Sequence, residues 1–187
     1  MANAKELLFL YASRDGQARR IGERLAACAR TAGWPIHLMD LGQGIPSAEL
    51  LGSAAVVVVV AAIRYGYHLP EAERLMTLHR DQLRARPLVV VSVNLTARKP
   101  GKDTAEGNAY LRRWLKRHRL RPDLAQAIAG KLDYPRYTWL DRQLIRLIMS
   151  ITGGPTDPST SHEFTDWPAV EAFGARVVDL ARAVSRE

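Results

Sequence analysis

The sequence predicts an α/β fold in which helices wind around both faces of a five-stranded parallel sheet. Three observations carry this expectation. Strand-like apolar segments alternate with segments of helical periodicity along nearly the whole chain. One strand contains five consecutive valines, Val56 to Val60, the pattern of a strand buried on both faces. The length of 187 residues suits one domain over residues 1–187, large enough to bury a substantial core.

Residues 7–12 form an apolar strand that runs into the polar turn Ser13-Arg14-Asp15-Gly16-Gln17-Ala18. The following helix places Ile21, Leu25, Cys28, Ala29 and Ala32 on one face. Residues 35–40 read as strand two and residues 54–62, with the valine run, as strand three. A helix over about 70–82 carries Ala72, Leu75, Met76, His79 and Leu83 at helical spacing. Residues 87–94 form strand four. The next helix, over about 104–118, buries Leu111, Trp114 and Leu115 and turns Arg112, Arg113, Lys116 and Arg117 outward. Residues 125–132 are strand five.

The alternation is then interrupted by residues 133–160. Within them a helix over 140–151 is apolar around most of its circumference, because Leu140, Leu144, Leu147, Ile148 and Ile151 share one face while Ile145 and Met149 lie opposite. Arg142 and Arg146 leave only a narrow polar strip. Flanked by Tyr and Trp, such a helix suits a membrane interface as well as it suits packing over the sheet edge or into a dimer. Gly153-Gly154-Pro155 ends it. His162 and Glu163 are expected in a resumed edge strand. The last helix, 168 to about 184, starts after the capping residue Asp166 and aligns Val170, Phe173, Val177, Ala181 and Val184.

Residues 97–146 hold 13 Lys and Arg against 5 Asp and Glu, a surplus of eight that equals that of the whole chain. One basic region is therefore set on a neutral body, which suits an anionic partner. The run from Arg112 to Arg121 has Trp114 and Leu115 at core spacing, so it reads as a solvated helix face and no nucleic-acid partner is expected. The single cysteine, Cys28, fits a reducing compartment and a small core residue. No secretory signal is expected before the first strand, and no apolar run in the sequence approaches the roughly 20 residues that span a bilayer. A Walker loop, a GxSxG elbow and Cys/His spacing for zinc are all absent from the sequence.

In parallel sheets of this kind ligands bind outside the strand carboxyl ends. Three chemically unusual loops leave those ends, at residues 13–17, 63–68 and 94–100. The first combines Ser13 and Gly16 with a helix N-terminus, a setting for a phosphate, although the same residue types also serve simply to cap a helix. The second reads Ile63-Arg64-Tyr65-Gly66-Tyr67-His68 and the third Asn94-Leu95-Thr96-Ala97-Arg98-Lys99-Pro100.

These residues resemble the flavodoxin-like proteins. The combination of Ile63-Arg64-Tyr65-Gly66, Ser92-Val93-Asn94-Leu95 with Ala97-Arg98-Lys99-Pro100, and Tyr134-Pro135-Arg136-Tyr137 with Gly153-Gly154 is similar to one branch, the quinone-dependent protoporphyrinogen IX dehydrogenases. The resemblance implies a flavodoxin-like doubly wound five-stranded parallel sheet with a helical insertion interrupting strand five. It implies FMN as cofactor, with Ser13, Arg14, Asp15, Gly16, Gln17 and Ala18 at the phosphate. Ala62, Ile63, Arg64 and Tyr65 would flank the ring on one side, and Ser92, Val93, Asn94, Leu95 and Arg98 on the other. Ala18 departs from the flavodoxin pattern, which has Thr or Ser there, and the lost hydrogen bond costs about 1.5–3 kcal/mol if nothing replaces it. Backbone N–H groups, with Arg14 or Arg19, are the available compensation.

The implied reaction removes six electrons and six protons from protoporphyrinogen IX in three two-electron steps, the electrons passing to a membrane quinone. Arg64, Arg98 and Lys99 then suit the substrate propionates, Tyr65 and Tyr67 its apolar ring, and Tyr65 or His68 a proton relay. No obligatory protein acid or base is named. An anionic membrane surface and a second copy of the chain are further expected partners, with peripheral attachment on the cytoplasmic side of the inner membrane. An FMN-dependent NAD(P)H:quinone oxidoreductase would share the first turn but leave the YPRY segment unexplained. A flavodoxin-type electron carrier is usually acidic, unlike this chain.

Overall fold

The computed structural model describes residues 6–134, 139, 143, 145, 147, 150, 155, 157 and 159–186. β1 (Leu7–Ala12), β2 (Ile36–Asp40), β3 (Val56–Arg64), β5 (Leu88–Val93) and β6 (Leu124–Ile128) form the expected five-stranded parallel sheet in the order β2-β1-β3-β5-β6. β4 (Tyr67–His68) folds back antiparallel on β3. Strand alternation divides the core in two. Leu8, Leu10, Val57, Val59 and Val90 face one layer with Leu75, Met76, Leu111 and Trp114. Leu7, Phe9, Val56, Val58 and Val89 face the other with Ile21, Leu25, Phe173 and Val177. The first layer is covered by α3 (Pro70–Leu78), α4 (Arg80–Arg84) and α5 (Ala109–His118), with α2 (Ala48–Ser53) at its edge; the second is covered by α1 (Gln17–Thr31) and α6 (Trp167–Val184).

Several boundaries differ from expectation for local reasons. The helix over 70–82 breaks at His79 (φ −116°, ψ 28°), because Leu78 is turned to solvent and the chain re-enters helix to bury Leu83. α5 starts at Ala109, not near 104, because the Asn108 side chain accepts the Leu111 N–H. His118, not read as a core residue, is buried there. Ala32 lies beyond the end of α1 and is exposed. Cys28 is half-buried against α6, where a Cβ on Gly174 would lie 2.8 Å from its Sγ.

Strand five ends at Ile128. After Gly130 the chain forms β7 (Lys131–Asp133), which pairs antiparallel with β8 (Ser161–Glu163) in a separate two-stranded sheet. His162 and Glu163 therefore do not rejoin the parallel sheet. The described residues between 139 and 150 are helical. Ile145 packs on Leu132 and Tyr134 while Trp139 and Leu147 are exposed, so the side expected to be the lesser apolar one meets the body. Leu140, Arg142, Leu144, Arg146, Ile148, Met149 and Ile151 lie outside the described residues, as do Pro135, Arg136, Tyr137, Gly153 and Gly154.

Candidate functional site

The carboxyl ends of β1, β3 and β5 bring the three unusual loops to one cleft of about 280 Å³. Ser13, Asp15, Gln17 and Ala18 line it from the first loop, Ala62 to Gly66 from the second, and Val93 to Thr96 with Arg98 and Lys99 from the third. Two further clefts run beside the edge strand β6. They lack the convergence of three strand ends, which is where this architecture places ligands.

At one end of the cleft Gly16 adopts a left-handed conformation (φ +89°) that an L side chain rarely takes. Its N–H donates to Ser13 Oγ at 3.1 Å. Helix geometry leaves the N–H groups of Gln17, Ala18 and Arg19 without intrahelical acceptors. The Gln17 side chain is occupied elsewhere, its Nε2 donating to Glu163 (3.1 Å) and Thr165 (2.8 Å), so it ties this turn to the end of β8. Burial acts to raise the Glu163 pKa, but hydrogen bonds from Gln17, Arg20 and Trp167 outweigh it and hold the carboxyl below its usual range. Arg14 and Arg19, the expected cationic compensation for Ala18, pair with Glu71 (3.1 Å) and Glu23 (2.7 Å). Arg14 and Gly16 do not line the cleft. Asp15, a carboxylate where an anion is expected, lies 3.8 Å from Arg64.

The second wall is a hairpin. Arg64 pairs with Tyr67 across a two-residue turn whose central residues, Tyr65 and Gly66, both have positive φ (52° and 83°), as the twist of a tight hairpin demands. Tyr65 and Tyr67 are both exposed, and only Tyr65 lines the cleft. His68, expected to relay protons, turns into the core instead. It is 5% exposed, stacks on Trp114 at 3.7 Å and meets Ser92 Oγ at 2.9 Å. Burial, and then the charges of Arg117 and His118, push its pKa down to about 3, so the ring is neutral. Ser92 is likewise buried beneath the cleft rather than on it.

On the third wall Asn94 caps the 3₁₀ turn Leu95–Arg98 by accepting the Ala97 N–H at 3.1 Å. Arg98 donates to the Leu95 carbonyl at 2.8 Å and lies 5.6 Å from the Phe164 ring centre. Tyr110, Gly130, Lys131 and Ile145 also line the cleft and were missed in the sequence. Tyr110 was detectable as a residue one helical turn before Trp114. Gly130 and Lys131 follow the true end of strand five, which the sequence reading placed too late. The cleft thus joins backbone donors at one end, an apolar and aromatic middle, and the cations Arg64, Arg98, Lys99 and Lys131. It can hold an elongated, partly aromatic anion.

The family profile described as flavodoxin domain matches residues 8–159. The chain is 37% identical over 174 residues to the protoporphyrinogen IX dehydrogenase (quinone) of Escherichia coli strain K12, covering 92% of this chain and 94% of the relative. It is 35% identical over 184 residues to the protein of that name from Leishmania major, covering 98% and 79%. Oxidised flavodoxin 1 from Bacillus cereus superposes with a TM-score of 0.56 at 14% identity, covering 94% and 98%. That likeness is one of fold.

Proposed function

The chain belongs to the flavodoxin-domain family, in the branch of the quinone-dependent protoporphyrinogen IX dehydrogenases, and from that premise we propose that it uses FMN to oxidise protoporphyrinogen IX with a quinone as acceptor. The observation that carries this reading is the meeting of a phosphate-type turn, apolar walls and a cationic rim in one cleft. The residues fit FMN. Ser13 and the backbone N–H groups of residues 17–19 would hold the phosphate, and the walls at 62–66 and 93–96 the ring. Bound there, FMN accepts two electrons at a time and returns them to a quinone. Each two-electron step takes two electrons and two protons from the substrate and converts one quinone to quinol, so three steps consume three quinones.

The protein's own contribution is placement. Arg64, Arg98 and Lys99 orient the substrate propionates, with Lys131 beside them, and Tyr65 and Tyr67 extend an aromatic surface from the cleft mouth. With His68 enclosed in the core, Tyr65 is the remaining side chain from the sequence reading that can pass a proton at the mouth.

Among the described residues no helix is long and apolar enough to cross a membrane. The exposed cationic face of α5 and the exposed Trp139 and Leu147 support peripheral attachment to an anionic surface on the cytoplasmic side of the inner membrane, where the quinone resides. The deciding experiment is the visible spectrum of the purified protein, followed by anaerobic protoporphyrinogen oxidation with a menaquinone analogue. A flavin spectrum with quinone-dependent turnover is expected. A colourless protein that takes up no added FMN would defeat the reading.

A further inference from the structure

Beneath the cleft, buried polar side chains connect its two side walls. From the hairpin wall His68 descends to lie flat on Trp114, with ring centres 3.7 Å apart and planes 15° apart. Its Nε2 is 2.9 Å from Ser92 Oγ, and the same oxygen accepts a hydrogen bond from Asn94 Nδ2 at 3.0 Å. Asn94 Oδ1 accepts the Ala97 N–H and Asn108 Nδ2, each at 3.1 Å, so it fixes the opposite wall. Asn108 Oδ1 in turn accepts the Leu111 N–H at 3.2 Å and begins the helix that carries Trp114. The path therefore closes on itself through α5. His68, Ser92, Asn94 and Asn108 are all buried.

The donors and acceptors along this path are consistent. Asn94 donates to Ser92 Oγ, and a neutral His68 meets the same oxygen through Nε2, as donor or acceptor according to its tautomer. Apolar side chains of the same volume would fill this layer, as Leu75 and Leu111 do nearby, without the desolvation that buried polar groups incur. What hydrogen bonds add is direction and length. The ring stack fixes the plane of His68 and the bonds fix its distance to the other wall.

We infer that His68 is a positioning residue, which with Ser92 and Asn94 forms a strut that sets the separation of the two cleft walls and so the width of the slot for a flat ring system. The inference rests on the reading of the cleft as a flavin site. His68 touches neither cofactor nor substrate and acts through the Leu95–Arg98 turn.

Amide hydrogen exchange on the apo protein, with FMN titration of the same preparations, tests it. His68→Phe keeps the stack and the volume but removes the bond to Ser92, whereas His68→Gln keeps a donor–acceptor group in reach. In His68→Phe the Ala97 amide and its neighbours at 94–98, on the wall opposite the substitution, should exchange about tenfold faster and FMN should bind about tenfold more weakly. His68→Gln should restore most of both. Should His68→Phe fail to fold, His68→Leu removes the same bond and leaves the Asn94–Ser92 bond in place, and is read in the same way. Unchanged exchange at 94–98 alongside a lowered melting temperature would make His68 an ordinary core residue and overturn the strut. A wild-type protein that takes up no FMN defeats the reading of the cleft, and the exchange comparison still decides the strut.

Discussion

Ala18 presents a methyl group at the end of the cleft where a hydroxyl could donate to an anion, and it is almost fully buried. Ala18→Ser should tighten FMN binding by about tenfold, the weaker end of what a bond to a charged group contributes; flavin fluorescence titration measures it. An unchanged dissociation constant would mean that the backbone donors already saturate the phosphate. His68 gives a pH signature of known sign. Its folded pKa, about 3, lies below the ordinary value of 6.5, so between them the unfolded chain holds the extra proton and stability rises with pH. Wild type should therefore lose stability as pH falls from 6.5 to 4.5, by at most about 1.4 kcal/mol per pH unit, and His68→Gln should lose less. Urea unfolding at several pH values compares them; equal slopes would refute the assignment. The window stops at 4.5 because the Glu163 carboxyl, held below its usual range by its hydrogen bonds, adds its own loss of stability further down.

Among the elements, the hairpin holds Tyr65 at φ +52°, a conformation that costs a bulky residue about 1–2 kcal/mol and suits Asn or Gly better. Tyr65→Asn should leave thermal stability equal or raised while increasing KM for the porphyrinogen, a separation that steady-state kinetics and a melting curve together reveal. At the packing of α1 on α6, Gly174→Ala would set a methyl group 2.8 Å from Cys28 Sγ. A loss of about 1–3 kcal/mol is expected, partly recovered by Cys28→Ala in the same chain. Such details also mark how far the sequence could be read. The central strands were legible because burial on both faces leaves no choice but runs such as Val56–Val60. The start of α5 was missed although Asn108 is a cap-forming residue, because Thr104, also cap-forming, stands one turn before it and accepts the Gly107 N–H. Strand five was overrun because Gly130, whose added Cβ would meet Val93 at 3.2 Å, lets the chain leave the sheet without interrupting its apolar composition. The three loops of the cleft were legible from the alternation of strands and helices together with their own unusual residues. The role of His68 was not, since it depends on Trp114, which is distant in sequence.

At the scale of the whole molecule, the surplus of eight positive charges within residues 97–146 shows on the outer side of α5, where Arg112, Arg113, Lys116 and Arg117 are exposed. Each cation near an anionic bilayer contributes about 1 kcal/mol. Replacing Arg113 and Lys116 by Glu should reduce partition onto phosphatidylglycerol vesicles by at least about tenfold at low salt, with no change on phosphatidylcholine; co-sedimentation reads both. Equal partition of the two proteins would remove this face from the membrane proposal. The layer arrangement also bears on synthesis. The face of the sheet that holds Leu7 and Phe9 is closed by the first helix and the last, α1 and α6. A ribosome moving at about 5–20 residues per second completes α1 roughly 10–30 s before its partner emerges. For that interval the face of Ile21 and Leu25 that meets α6 has no finished cover. Any message truncated before codon 167 would yield a product unable to close its own core.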